Sequence, residues 1–247
     1  MTENLQNLLT QLQAEHAVER SEAALELGKR REIGAVDALV QVLCKDADLN
    51  VQEDATWSMV RLGDASVDAL LPVTTHEDAR VRHNAVHTLG KIADVRAIDV
   101  LMTATEDSEK SVRYKAIYAL GQIGHEKAIP ALIARLDDVV QDIRWMARQT
   151  LEVFGSMALL PLMAALEDDS AQVRELAASL LGDLEDERAV EPLMVALQTD
   201  DAEVRIAVVQ SLGQIGDPRA LPVLQELTAD SDPRVAAISR AMAKMLA

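Results

Sequence analysis

The chain has 247 residues, of which 49% are hydrophobic and 26% charged, and its formal net charge is −17 at pH 7. This composition is typical of an ordered protein, and the strong negative charge argues against nucleic-acid binding, which needs basic surfaces. Cys44 is the single cysteine, so no intramolecular disulfide can form and a reducing compartment is expected. No apolar run approaches the length of a membrane span, and residues 1–4 lack the basic start of a secretory signal. We therefore expect a cytoplasmic protein that binds neither nucleic acid nor a membrane.

One segment of about 31 residues is repeated along the chain. A polar helix is predicted over about residues 3–14, and a weaker copy of the repeat follows over residues 19–28. From there an apolar anchor residue recurs every 30 or 31 residues, followed in most copies by arginine. The anchors are Val51, Val81, Val112, Ile143, Val173, Val204 and Val235. A fixed period of this length predicts a repeat architecture, because one unit cannot bury a core and must stack on its neighbours.

Each copy of the repeat predicts two helices. Val112, Ala116 and Leu120 recur at i, i+4 and i+8, so they share one face of the first helix. Gly124 is expected to end that helix, and Pro130 marks the first turn of the second, where its missing N–H costs nothing. Matching residues in other copies are Gly63, Gly155, Gly216, Pro161, Pro192 and Pro222. We predict an all-α protein, a right-handed α-solenoid of about eight antiparallel helix pairs that forms a single domain over residues 1–247.

Three motifs carry a resemblance to a known family. They are Val81-Arg82 with Leu89-Gly90-Lys91-Ile92, Val112-Arg113 with Leu120-Gly121-Gln122-Ile123-Gly124, and Val204-Arg205 with Leu212-Gly213-Gln214-Ile215-Gly216-Asp217. The pattern resembles the HEAT-like repeats of the class found in phycobilin lyases, over essentially the whole chain. The resemblance implies that the helix following each Val-Arg pair lines the concave side of the solenoid. It also implies an alternative function, a phycobilin lyase or isomerase that binds an open-chain tetrapyrrole.

An arginine follows the anchor position in six copies. These arginines are Arg20, Arg82, Arg113, Arg144, Arg174 and Arg205. A ladder that binds phosphate groups is one interpretation. Because each arginine follows turn carboxylates and borders the core face, we favour Asp–Arg pairs between repeats that lock the stacking.

Aromatic residues make up only 2% of the chain, yet they recur two and six positions after the anchors. These positions lie on one side of a helix, away from its core face. Aromatic rings with one polar edge suit a partly solvent-exposed surface, where they can bind a partner by stacking and hydrogen bonds. The predicted binding residues are Glu53, Asp54, Trp57, His83, His87, Tyr114, Lys115, Tyr118, Trp145 and Gln149. The competing interpretation is that the rings are partly buried structural side chains.

His83 and His87 also form an i, i+4 pair, a spacing that places two imidazoles within reach of one metal ion. Glu53, one repeat earlier, would supply a carboxylate. Because this spacing is common, we predict no metal site and no cofactor, and keep the three residues as candidates only. Deoxyhypusine hydroxylase, also HEAT-like, uses His-Glu pairs at equivalent positions for a di-iron centre. None of positions 53–54, 83–84, 114–115, 145–146 and 175–176 reads His-Glu.

No catalytic signature accompanies the repeats, neither a glycine-rich phosphate loop after a strand nor a nucleophile elbow. We therefore expect a non-enzymatic scaffold, without catalytic residues, that binds a peptide segment of another protein in its groove. Glu53 and Asp54 would favour a basic residue at one end of that segment. The bilin lyase or isomerase activity and a metal-dependent activity at His83 and His87 remain as alternatives.

Overall fold

The structure, a computed structural model, describes residues 3–247, with side chains from Asn4 onward. Every regular element in this part of the chain is a helix, which confirms the predicted all-α class of helix-pair repeats. The chain divides into two compact units, Met1–His125 and Glu126–Ala247. The expectation of one domain over residues 1–247 stays a prediction. Across the described residues, no helix is both long enough and apolar enough to cross a lipid bilayer.

In its described residues the first unit holds four helix pairs, each a shorter helix followed by one of 14 residues. The helices are α1 (Glu3–Gln11), α2 (Ala17–Arg30), α3 (Val36–Lys45), α4 (Leu49–Leu62), α5 (Val67–Leu70), α6 (Ala79–Ile92), α7 (Ile98–Ala104) and α8 (Lys110–Ile123). Short 3-10 segments flank several of the shorter helices, such as Val95–Ala97 before α7. The first helix ends at Gln11, three residues earlier than the sequence predicts, and the carbonyls of Ala14 and Glu15 instead accept hydrogen bonds from Arg20.

The second unit also holds four helix pairs, so the described chain agrees with the predicted number of about eight. Its helices are α9 (Ile129–Ala134), α10 (Gln141–Phe154), α11 (Leu159–Ala165), α12 (Ala171–Asp183), α13 (Val190–Ala196), α14 (Ala202–Ile215), α15 (Leu221–Glu226) and α16 (Pro233–Leu246). Pro130 lies in the first turn of α9, as predicted from its missing N–H.

Aspartate caps and glycines set the ends of the long helices. Asp48 and Asp78 accept hydrogen bonds from the backbone N–H groups of Asn50 and Arg80, which have no partner within the first helical turn. Gly124 follows the last residue of α8 with φ = 66°, a left-handed conformation that glycine adopts at little cost. The glycine stop predicted for this copy is confirmed.

Successive long helices approach each other closely through small residues. Val81, Ala85 and Leu89 on the core face of α6 are fully buried. Beside them, Gly90 lies so close to Ala119 of α8 that a Cβ on Gly90 would stand 2.6 Å from the Cβ of Ala119. The same kind of contact joins Gly28 to Ser58 and Gly182 to Ser211, whereas Gly213 lies against the longer side chain of Met242. Aliphatic and small residues therefore fill the space where α6 meets α8, and the one large ring in the buried core of the described chain is Phe154 of α10.

The arginines that follow the anchor residues form hydrogen bonds with the loops of successive repeats. Nη1 of Arg82 donates to the carbonyls of His76 and Glu77, at 2.9 and 3.0 Å, in the loop before α6. Its Nε and Nη2 donate to both carboxylate oxygens of Asp107, at 2.6 and 2.8 Å, in the loop before α8. Arg20 bonds Asp46, and Arg205 bonds Asp230, in the same two-pronged way. The predicted Asp–Arg pairs between repeats are confirmed for Arg20, Arg82 and Arg205, although the carboxylate comes from the next repeat's loop and the preceding loop contributes carbonyl groups. Arg144 and Arg174 instead donate to carbonyl groups of the preceding loop.

Candidate functional site

The predicted binding residues of the first unit lie on neighbouring faces of α4, α6 and α8, which pack side by side. We call this set the ring-bearing face. It consists of Glu53, Asp54, Trp57, His83, His87, Tyr114, Lys115 and Tyr118. Glu53 and Trp57 are exposed and the other six are half-buried, so none of them belongs to the buried core.

On α4, the ring-bearing face combines an exposed indole with charged neighbours. Trp57 keeps 40% of its surface accessible. The guanidinium carbon of Arg61, one turn later, lies 4.8 Å from the centroid of the Trp57 ring, within the range of a cation–π interaction. Asp54 accepts a short hydrogen bond from the hydroxyl of Ser21 on α2, so part of its bonding capacity is used inside the protein. Glu53 carries the freely exposed carboxylate of this helix.

On α6, two imidazoles stack with ring centroids 6.4 Å apart and planes inclined by 24°. Nδ1 of His83 lies 3.2 Å from the carbonyl oxygen of Ser111, and because a carbonyl only accepts, this hydrogen bond assigns the proton to Nδ1. Nδ1 of His87 is buried and has no hydrogen-bond partner among the described residues. Burial first, and then the positive charges of Lys115 and Lys91, lower the pKa of His87 to about 4. His87 is therefore neutral at pH 7.

On α8, two half-buried phenol rings flank a lysine. Nζ of Lys115 lies 5.9 Å from the centroid of the Tyr118 ring. Lys115 follows Ser111, the residue whose carbonyl oxygen contacts His83, by one helical turn. Its charge lowers the pKa of His83, after the larger effect of burial. Between α4 and α6, the amide of Asn84 donates to Oε1 of Gln52 at 3.0 Å. Polar contacts therefore join the faces of all three helices.

Trp145 and Gln149, the two remaining predicted binding residues, lie on α10 of the second unit. Trp145 is 56% exposed. Gln149 is half-buried, and its amide donates to Oε2 of Glu152 at 2.8 Å within the same helix. The indole is thus available to a ligand, whereas the amide already has a partner.

The candidate metal ligands do not assemble into a binding set. Among residues 3–247, no group of three or more His, Cys, Asp and Glu side chains is arranged to hold a metal ion. His83 and His87 stay together on α6, but Glu53 does not complete a third ligand with them. Because protein metal sites of this kind need at least three ligands, the two imidazoles alone do not support a metal-dependent activity.

Two basic residues of this region were not among the predicted binding residues. Arg61 and Lys91 each lie four residues after a predicted binding residue, Trp57 and His87, and so continue the same helical stripe. Helical spacing could have found them. Their contacts with the indole and their effect on the imidazole became visible only in the structure.

A family model described as HEAT repeats matches residues 67–152 and 159–243, which together cover more than half of the chain. The chain therefore belongs to the HEAT-repeat family, which confirms the resemblance seen in the sequence. A comparison with proteins of curated function finds no match.

Solved structures with the same fold have low sequence identity to this chain. Importin β in a polyethylene glycol condition aligns with 99% of this chain and 42% of its own, at 15% identity and a TM-score of 0.64. An archaeal HEAT-like repeats protein from Thermococcus onnurineus NA1 aligns with 85% of this chain and 96% of its own, at 13% identity and 0.52. The complex of CpcE and CpcF of phycocyanin lyase from Nostoc sp. PCC7120 aligns with 100% of this chain and 95% of its own, at 20% identity and a TM-score of 0.47. Such likeness shows the fold alone and gives no argument for bilin chemistry.

Proposed function

We propose that this protein is a non-enzymatic scaffold whose ring-bearing face binds a segment of a partner protein. The observation that carries the proposal is that the scarce rings of the first unit keep part of their surface accessible, while aliphatic residues fill the core. Aromatic side chains with a polar edge contribute much of the binding energy of protein interfaces once they are covered. A partner segment laid across Trp57, Tyr114 and Tyr118 would cover these rings and pair their polar atoms.

Other proteins of the same fold support a protein as the ligand. Kap95p, whose structure aligns with this chain at 14% identity and a TM-score of 0.60, binds RanGDP. The analogy favours a protein partner without naming one. On this chain, the exposed Glu53, together with Asp54, favours a basic residue in the part of the segment that lies over α4.

Trp145 provides a separate candidate contact in the second unit. Its indole is more exposed than that of Trp57. We assign Trp145 to the same function, although the rings of the first unit carry the argument by themselves.

Truncation of the rings tests the proposal. The wild-type protein, the variant Trp57→Ala/Tyr114→Ala and the control Val18→Ala/Val95→Ala would be used to capture partners from a lysate of the source organism. The control removes two exposed apolar side chains, 68% and 58% accessible, that lie outside the ring-bearing face. An interface anchor that is truncated costs about 2 kcal/mol, a factor of about 30 in Kd.

We expect the ring variant to lose a partner that the wild type and the control both retain, with the circular dichroism of all three proteins unchanged. Equal capture by the ring variant, or equal loss in the control, would refute the ring-bearing face as the binding surface.

A further inference from the structure

A cluster of nitrogen-bearing side chains lies at the α6–α8 end of the ring-bearing face. His83, His87 and Lys91 follow one another at i, i+4 and i+8, so they form a single stripe on α6. Lys115 lies on α8 one turn after Ser111, whose carbonyl oxygen is 3.2 Å from Nδ1 of His83, and its charge lowers the pKa of both imidazoles. We call these four side chains the basic cluster.

The basic cluster is not neutralised within the protein. Lys91 and Lys115 form no salt bridge with any residue of the described chain. Lys115 and Lys91 both lower the pKa of His87, and no carboxylate raises it. Lys45, Lys110 and Lys244 likewise form no salt bridge in the described chain, so what sets Lys91 and Lys115 apart is that both charges act on the same half-buried imidazole, His87. Arg82, 9 positions before Lys91, does find a carboxylate and binds Asp107 through two hydrogen bonds. An unopposed positive patch on an acidic protein attracts an anionic group.

Helix-dipole effects explain only part of the cluster. Lys91 lies in the last turn of α6, where a cation interacts favourably with the helix C-terminus. Lys115 lies in the body of α8, where that effect is absent. Nδ1 of His87 is buried without a partner, and a buried polar atom of this kind is ordinarily satisfied in the functional state of a protein. The helix dipole therefore accounts for the position of Lys91. It does not account for Lys115 or for the unpartnered Nδ1 of His87.

We infer that the basic cluster binds aspartate or glutamate carboxylates of the partner segment, next to an aromatic or aliphatic residue that packs on Tyr114 and Tyr118. The inference rests on the proposed function and specifies the chemistry of the partner. A carboxylate matches the ammonium groups of Lys91 and Lys115 by charge, and the neighbouring apolar residue matches the phenol rings. The segment would thus carry acidic residues over α6 and α8 and a basic residue over Glu53 of α4.

Peptide selection on the full chain tests the inference with a random pool in place of the natural partner. Random dodecapeptides displayed on phage would be selected on the wild type and on Lys91→Gln/Lys115→Gln. The control Lys29→Gln/Lys244→Gln makes the same change in net charge at two other helix ends. Enriched peptides would then be synthesised, together with counterparts in which Asp and Glu become Asn and Gln, and measured by fluorescence anisotropy.

We expect the wild type and the control to enrich peptides that pair Asp or Glu with an aromatic or aliphatic residue. The amide counterparts and the Lys91→Gln/Lys115→Gln variant should each weaken binding at least ten-fold, and the control should stay within two-fold of the wild type. Peptides that lose binding on Trp57→Ala/Tyr114→Ala but show no acidic enrichment would overturn the inference and leave the proposed function standing. Selection of no specific peptide at all would count against both.

Discussion

The close approach of α6 and α8 predicts that the smallest possible enlargement of Gly90 destabilises the protein. In Gly90→Ala, the new Cβ would stand 2.6 Å from the Cβ and 3.0 Å from the Cα of Ala119. Carbon atoms in contact prefer about 3.5–4.0 Å, so the helices must separate by about 1 Å. The opposing atoms belong to the main chain or are fixed to it, and no rotation of a side chain can relieve the contact.

The cost follows from two opposing effects. Overpacking of this kind costs about 1–3 kcal/mol, and the rigid neighbour places Gly90→Ala in the upper half of that range. Alanine in place of glycine in a helix contributes about 0.5–1 kcal/mol in the other direction. We therefore expect a net loss of about 1–2.5 kcal/mol in the free energy of unfolding.

Urea denaturation followed by circular dichroism measures this loss. Because a repeat protein can unfold in more than one step, hydrogen exchange of the amides in α6 and α8 would locate the change. Gly213→Ala is the matched control, since the two atoms nearest its new Cβ are Sδ and Cγ of Met242, which can rotate away, and only Cβ of Met242, at 3.0 Å, is fixed. The double variant Gly90→Ala/Ala119→Gly should recover part of the lost stability, because it removes the 2.6 Å contact and leaves the 3.0 Å contact with the Cα of residue 119. A Gly90→Ala protein that is more stable than the wild type would refute the close contact.

Three further predictions concern single side chains. In Arg82→Lys, the ammonium group cannot bind Asp107 and the loop carbonyls together, so the free energy of unfolding in urea titrations should fall by about 1–2 kcal/mol. The control Arg80→Lys, at an exposed position, should change the free energy of unfolding by less than about 0.5 kcal/mol. The pKa of His87 is about 4 in the folded chain, against a usual 6.5. Between pH 4 and pH 6.5 the folded state therefore binds fewer protons than the unfolded state. Stability should therefore fall as the pH drops from 6.5 to 4, and less steeply in His87→Gln; equal slopes would contradict the burial of this imidazole. Burial raises the pKa of the Cys44 thiol, so Ellman's reagent should label it slowly at pH 8 in the native protein and rapidly in denaturant; equal rates would contradict its burial.

The positions of the ring-bearing side chains could be predicted because each depends on a local rule. A residue two or six positions after an anchor lies off the core face of its helix, whatever that helix packs against. The chemical surroundings of those side chains could not be predicted in this way. That Asp54 bonds Ser21, and that Lys115 lies near His87, depends on which helices are neighbours.

The sequence by itself determined the repeat, the helix pairs and their glycine stops, because apolar periodicity and the conformational freedom of Gly124 act within one segment of chain. Only the tertiary structure decided that Arg82 takes its carboxylate from a loop 25 residues later and that Gly90 meets Ala119. It also decided that Lys91 and Lys115 stay without a counter-charge in the described chain. These features depend on distances between residues of different repeats, and such distances are set by the packing of whole helices.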